Sequence, residues 1–341
     1  MKVFIINDTS GELHHGCSRV MNNLCKLIKT NKGQVIASSP VGLDWRKSEA
    51  TKAKMLEADL VIVNGEGTIH HDSGEHLLDV GLFCKPYGVK TALVNALFQD
   101  MTIATKEQLK AFDHISVRDS FSKKQIESYG LEVELLPDLT FYSIGDYAHR
   151  KDIIHNRWMF TCSVNIEKSI ELFRLSKKGP MHSIFTPVVY GKGNWEENTG
   201  SSSILEKFSR FGFSEFILKS YNRIKSKLRS KGFRQYSDIT LHNKYYNAIN
   251  NVDFIISGRF HSVCFAINCG VPFIALTSNS HKLEALIEDF GLSKERIVSN
   301  VESLNNIKYL PYSKEEINNI KVVLHDIQSK YEMFYKKVLD K

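Results

Sequence analysis

Cysteine and proline are scarce in this chain, six and seven among 341 residues. The cysteines (Cys17, Cys25, Cys84, Cys162, Cys264, Cys269) lie far apart with no Cys-x-x-Cys pair, so they support neither a zinc knuckle nor a disulfide framework. Reduced thiols of a cytoplasmic protein are the expectation. Long hydrophobic runs are also missing: the longest, at 59–64 and 252–257, are strand-sized, far below the roughly 20 residues of a membrane span. The N-terminus has one early lysine and a short apolar run, Val3 to Ile6, without the core or cleavage site of a signal peptide, and reads as a first strand. Three nucleotide and hydrolase signatures are absent: Gly-x-x-x-x-Gly-Lys-Ser/Thr, Gly-x-Gly-x-x-Gly after the first strand, and Gly-x-Ser-x-Gly. Nucleotide hydrolysis, nicotinamide chemistry and serine hydrolysis are therefore disfavoured.

What is present is a soluble globular balance, 42% apolar and 24% charged, which sets disorder aside. The length suits two domains of roughly 150 residues each. A net charge of +7 fits anionic substrates or a membrane surface and does not demand nucleic acid. Apolar or β-branched runs at Val3 to Asn7, Gln34 to Ser38, Leu60 to Asn64, Thr91 to Ala96 and His114 to Val117 alternate with helical patterns such as Ser18 to Lys29 and Ser120 to Tyr129. The alternation restarts at Trp158 to Val164 and runs through Met181 to Val189, Phe233 to Tyr236 and a helix around His242 to Ile249. An α/β chain of two doubly wound, Rossmann-like domains facing each other follows. Their bounds are 1–150 and 151–313, with a basic amphipathic insertion at about 200–232 and a terminal helix over 314–341 that braces the lobes. Residues 216–237 hold seven Lys and Arg and no acid, beside Phe208, Phe211, Phe213, Phe216 and Ile217. That segment reads as a solvated helix face or as one meeting an anionic bilayer or a lipid-linked substrate.

Parallel sheets place ligands beyond the carboxyl ends of their strands, so five loops matter. The most informative is Asp253 to Ser262, where a buried strand feeds a glycine turn and a helix start. Gly258, Arg259, Phe260 and His261 stand at that helix mouth, where backbone NH groups and the helix dipole favour an anion. Arg259 can fork onto an oxyanion while His261 moves a proton; the bland alternative is an Arg259 ion pair and a packed histidine. In Asn64 to Asp72, Gly65, Glu66, Gly67, Thr68, His70 and His71 crowd one strand end. There Glu66 is a candidate base for a sugar hydroxyl or a simple turn cap. Adjacent histidines diverge and no spacing fixes a third ligand, so no metal is expected. Asn7 to Cys17 carries His14 and His15 toward the acceptor, or is an ordinary polar loop. Ser116 to Ser120 offers Arg118 beside an Asp119 or Ser120 helix cap. Finally, Ser278, Asn279, His281 and Lys282 open a helix after the strand Phe273 to Leu276, as anion ligands or caps.

Three blocks, Ser116-Val117-Arg118-Asp119-Ser120 with Pro137-Asp138, Ser257 to Ser262, and Gly270-Val271-Pro272 through His281-Lys282, resemble the polysaccharide pyruvyl transferase superfamily. The resemblance implies glycosyltransferase B-type architecture. It also implies phosphoenolpyruvate as donor, a surface-glycan saccharide as acceptor and no cofactor. It implies that Arg118 and Arg259 hold the phosphate and carboxylate while His261 acts as acid. The chain departs from the family at its front, where Ser10 to Cys17 replaces a glycine-aspartate signature, so a different acceptor is expected. A nucleotide-sugar glycosyltransferase in the same cleft and a glycan-binding protein with a degenerate site are the rival readings.

Overall fold

The computed structural model describes residues 1–12, 14–142, 157–180, 183–189, 242–305 and 307–340. The expected domain boundary near 150, the basic segment and the strand at 233–236 lie outside them. Strands β1 (Lys2–Asp8), β2 (Gln34–Pro40), β3 (Leu60–His70), β4 (Lys90–Gln99), β5 (His114–Val117) and β6 (Glu134–Leu135) form one parallel sheet in the order β2-β1-β3-β4-β5-β6. Strands β7 (Trp158–Ser163), β8 (Ile184–Phe185), β9 (Phe254–Gly258), β10 (Phe273–Leu276) and β11 (Ile297–Val298) form a second in the order β11-β10-β9-β7-β8, also parallel. Counted from each sheet's own first strand among the described residues, both read 2-1-3-4-5 before any further strand. Each therefore reverses direction between its first and third strands, the switch point where an open α/β sheet leaves a crevice.

Both faces of each sheet are buried, which is why the strands read as nearly continuous apolar runs. Along β1, Val3 and Ile5 point to one core with Leu60, Ile62, Ala92 and Val94, while Phe4 and Ile6 point to another with Val61, Val63 and Leu93. Helix α1 (His15–Thr30) covers the first face with Val20, Met21, Leu24, Leu27 and Ile28, an apolar stripe at helical spacing. Helices α2 (Glu49–Leu56), α3 (Glu75–Cys84), α4 (Thr105–Leu109) and α5 (Ser120–Ser128) accompany the N-terminal sheet. In the other lobe α6 (Ile166–Ser176), α7 (His242–Ile249), α8 (Phe260–Asn268) and α9 (Lys282–Asp289) play that part.

One core runs unbroken from the N-terminal sheet through Leu139, Phe141 and Tyr142 to α8 and the second sheet. The last helix, α10 (Lys314–Val338), opens with a capping box between Ser313 and Glu316. Near its start Glu316 accepts from Arg296 (Nε to Oε1 2.7 Å, Nη2 to Oε2 2.8 Å) in the C-terminal lobe. Near its end the Phe334 ring meets His114 and the backbone oxygen of Asp340 accepts from Lys90 Nζ at 3.0 Å, both in the N-terminal lobe.

One expected loop is a strand. The stretch Asn64 to His70 continues β3 and pairs with β4, with a register shift between Glu66 and Ile69. Glu66 takes φ +40°, a left-handed bulge residue, and the neighbouring strand ends repeat the device at Asn7 (φ 66°) and Asn95 (φ 56°). Polar side chains tolerate that region at modest cost, and its recurrence across three adjacent strands concentrates backbone strain at one end of the sheet.

Candidate functional site

The strained ends of β1 and β3 and the ends of β7 and β9 are the two switch points, and the side chains between them make the site. Glu66 is buried and accepts from Thr9 Oγ1 at 2.5 Å, Asn64 Nδ2 at 3.0 Å and Cys17 Sγ at 3.4 Å. Burial raises its carboxyl above the usual range, opposed by the hydrogen bonds from Thr9 and Asn64. Cys17 stands in the first turn of α1, and burial followed by the Glu66 charge pushes its thiol well up. The sulfur is thus a protonated donor to Glu66.

His14 caps α1: its Nδ1 accepts from the NH of Gly16 at 3.0 Å and of Cys17 at 3.4 Å. Its ring meets His261 edge-on at 5.1 Å between centroids. Gly16 makes this closeness feasible, because a Cβ there would sit 2.1 Å from His261 Cγ. Gly258 does the same across the second switch point, where a Cβ would lie 2.5 Å from that of Ser163. His261 is buried with Nε2 lacking a hydrogen-bond partner. Burial, then Arg118, Lys282 and Arg259, hold its pKa well below 6.5, so the imidazole is neutral.

Arg118 does not extend freely into the cleft. Its Nη1 donates to Asp138 Oδ2 at 3.2 Å, both side chains being buried, and its guanidinium covers the Phe260 ring at 4.4 Å. Only part of the expected fork remains for a ligand, beside Gly67. Arg259 donates Nε to Cys162 Sγ at 3.3 Å and pairs with no carboxylate among the described residues. Lys282 donates to Asn279 Oδ1 at 2.9 Å, and Asn279 in turn accepts from Ser278. Burial, then Arg118 and Arg259, lower Lys282 to about 7. Three basic side chains and one histidine thus meet, with Asp138 beside Arg118 and His261.

Other expected site residues have different surroundings. His281 ties the lobes together: its Nε2 lies 3.0 Å from Asp119 Oδ1 and its NH donates to Gln99 Oε1 at 2.9 Å. Beside it Ser120 NH donates to Asp289 Oδ2 at 3.0 Å. Asp119 also caps α5 through Ser122 NH at 2.8 Å. His15 is buried and stacks on Tyr245 at 4.6 Å, in interlobe packing. His70 and His71 approach through their Nδ1 atoms at 2.8 Å at the rim, and His71 reaches Asp100 at 3.3 Å. His70 lies within the electrostatic reach of Lys282 and Arg118, while Gly65 packs on Ala96 and Thr68 is half-buried along β3.

Ligand atoms of His14, Cys17 and His261 fall within 4.8 Å of one another. The chemistry fits a metal poorly. His14 Nδ1 accepts two backbone protons, so the neutral ring carries its own proton on Nε2; the thiol donates to Glu66; and the surrounding cations repel another. Sequence reasoning assigned no role to Thr9, Asn64, Cys17, Cys162 or Asp138. Cys17 directly follows the Gly16 of the helix start and Asp138 follows Pro137, but neither position announces its partner, Glu66 at 49 positions from Cys17 and Arg118 at 20 positions from Asp138.

Against known proteins, the family model for polysaccharide pyruvyl transferase matches residues 23–280. The chain belongs to that family. It is a transferase, and the matched span contains Glu66, Arg118, Asp138, Arg259 and His261. No curated protein matches it. Among solved structures, the apo form of OtsA aligns at 10% identity over 100% of this chain and 99% of its own, with a TM-score of 0.52. A candidate UDP-N-acetylglucosamine 2-epimerase of Listeria monocytogenes aligns at 13% identity over 96% and 90%, TM-score 0.50. An uncharacterised protein of Klebsiella pneumoniae aligns at 10% identity over 87% and 93%, TM-score 0.50. These likenesses establish the fold, two facing Rossmann-like sheets of glycosyltransferase B type. Among the described residues no helix is long and apolar enough to cross a membrane.

Proposed function

We propose that this family member transfers the carboxyvinyl group of phosphoenolpyruvate onto two hydroxyls of a saccharide in a surface-glycan precursor, forming a cyclic pyruvate ketal. The observation that carries the reading is the convergence of Arg118, Arg259, Lys282 and His261 on one crevice, with Asp138 paired to Arg118 and within ion-pair range of the imidazole. Arg259 and Lys282, with the remaining face of Arg118, hold the phosphate and carboxylate. Ser278 and Asn279 support Lys282. His261, charged once the anion is bound, protonates the methylene carbon; the electron-poor C2 is then captured by a sugar oxygen, whose proton passes to Glu66. The second hydroxyl closes the ketal as phosphate leaves. Of the two hydroxyl protons, one balances the new methyl group and the other departs on phosphate, so neither an oxidant nor a nucleoside triphosphate is needed. The acceptor lies on the side of His14, Gly67, Thr68, His70 and His71. A lipid-linked acceptor at the inner membrane face accords with the basic segment 216–237.

Thermal unfolding with candidate donors tests the assignment, because a ligand of the folded state raises the midpoint. Stabilisation by phosphoenolpyruvate and none by nucleotide sugars is expected; the reverse pattern would replace pyruvyl transfer with glycosyl transfer, and silence from both would mark a degenerate site.

A further inference from the structure

Asp138 sits where a purely anion-binding pocket has no use for it. Its side chain is wholly buried, and its negative charge opposes a ligand bearing phosphate and carboxylate. Oδ1 accepts from Thr140 NH at 2.9 Å, Oδ2 accepts from Arg118 Nη1 at 3.2 Å, and the same Oδ2 lies 3.8 Å from His261 Nε2. The segment that carries it is fixed from several sides. Leu139 NH donates to Asn95 Oδ1 at 3.0 Å, Asn23 Nδ2 to Leu139 O at 2.7 Å, Asn268 Nδ2 to Thr140 O at 3.0 Å, and the Tyr331 hydroxyl to Pro137 O. Strand β4, α1, α8 and α10 thus all anchor one short turn, and the carboxylate cannot retreat from the imidazole without disturbing both lobes.

The surroundings of His261 explain what such a fixed acid can do. Facing the ring are Arg118 from the end of β5, Arg259 from the start of α8, Lys282 from the start of α9, His14 from the loop before α1 and Cys17 from its first turn. Among the described residues Asp138 is the one carboxylate within ion-pair range of the ring. Burial, and then cations on several sides, hold the imidazole neutral, whereas protonating an enol carbon requires imidazolium.

We propose that Asp138 is a positioning residue, which stands 3.8 Å from His261 Nε2 as a fixed counter-charge and stabilises its imidazolium once the donor's charges occupy Arg259, Lys282 and the open face of Arg118. The inference rests on the proposed donor chemistry. Without donor, Arg118 and Asp138 neutralise each other; a seated dianion then balances Arg259 and Lys282, the repulsion on the imidazole falls and the proton arrives on His261. The carboxylate takes no proton from substrate and touches no reacting atom.

Asp138→Asn tests this, since the amide keeps the acceptor for Thr140 NH and the shape of the side chain while removing the charge. Losing a negative charge from an anion pocket should leave the KM for phosphoenolpyruvate unchanged or lower it. Losing the counter-charge of the imidazolium should cut kcat by about tenfold to a hundredfold and move the acidic group's pKa in the kcat profile down by about one unit. A merely structural role predicts the opposite, a raised KM with an unmoved profile, and that result, or wild-type kcat, would overturn the proposal. Should the variant not fold, the wild-type chain with ¹⁵N-labelled histidine gives a second reading. Saturating phosphoenolpyruvate should convert His261 from neutral imidazole to imidazolium near neutral pH, and a ring that stays neutral with donor bound would refute the role. Absence of any midpoint shift of the wild type with phosphoenolpyruvate would instead remove the donor assignment itself, so the two failures are distinguishable.

Discussion

Replacing Gly16 by alanine probes the joint between the lobes at its tightest point. The added carbon would lie 2.1 Å from Cγ, 2.4 Å from Cβ and 2.4 Å from Nδ1 of His261. Restoring ordinary van der Waals distance requires a displacement of about 1.3 Å, shared between the start of α1 and the imidazole. Two effects on stability oppose each other. Alanine is the better helix former by about 0.8–1.0 kcal/mol, whereas overpacking a dense site costs about 1–3 kcal/mol. The net expectation is a loss of up to about 2 kcal/mol, visible as a modestly lowered unfolding midpoint. Catalysis should suffer more, because a misplacement near 1 Å at a proton donor costs about a hundredfold in rate. The assay is phosphate release from phosphoenolpyruvate with a saccharide acceptor, followed alongside thermal unfolding with and without donor. Donor-induced stabilisation should persist, since Arg259 and Lys282 do not touch Gly16, while turnover collapses. A variant that turns over at the wild-type rate with an unchanged or raised midpoint would refute the close approach of α1 to His261.

Arg259→Lys should lose most donor affinity, because an ammonium cannot reproduce the guanidinium fork; wild-type binding by titration calorimetry would place the donor elsewhere. Lys282, lowered to about 7, should take up a proton when an anion binds. Donor affinity is then fully developed below pH about 7 and weakens by up to tenfold per unit above it until the bound-state pKa is passed, and calorimetry in buffers of different ionisation enthalpy should register proton uptake. The same depressed value makes the unfolded state bind more protons than the folded one between pH about 7 and 10.5, so stability rises with pH there; in Lys282→Met that slope should vanish from the unfolding curves. Neutralising the basic positions of residues 216–237 should weaken sedimentation with anionic vesicles, and unchanged sedimentation would return that segment to an ordinary solvated face.

Much of the architecture was legible in the chain. Runs buried on both faces announced parallel strands, and β5 and β10 begin and end where their β-branched and apolar residues predict. The helix after β9 was readable from Gly258 and the apolar face behind His261. Less was legible at the site. Asn64 to His70 looked like a glycine loop, but pairing with β4 holds it extended around a single bulged carboxylate. Local composition reports a residue's conformational tolerance and cannot report that a neighbouring strand will supply hydrogen bonds.

Charge partners were the least visible feature. Asp119 and His281, 162 positions apart, meet at 3.0 Å because the segment after β5 in one sheet lies against the segment after β10 in the other. Arg118 and Asp138 meet because both lie just beyond the ends of neighbouring strands. From residue types alone came the parallel sheets, the anion-favouring helix start after β9 and the arginine and histidine at its mouth, since periodicity and turn chemistry are properties of adjacent residues. Only the folded chain decided that one buried acid restrains Arg118 and stands beside His261, because burial and Coulombic proximity are set by which distant segments the cores bring together.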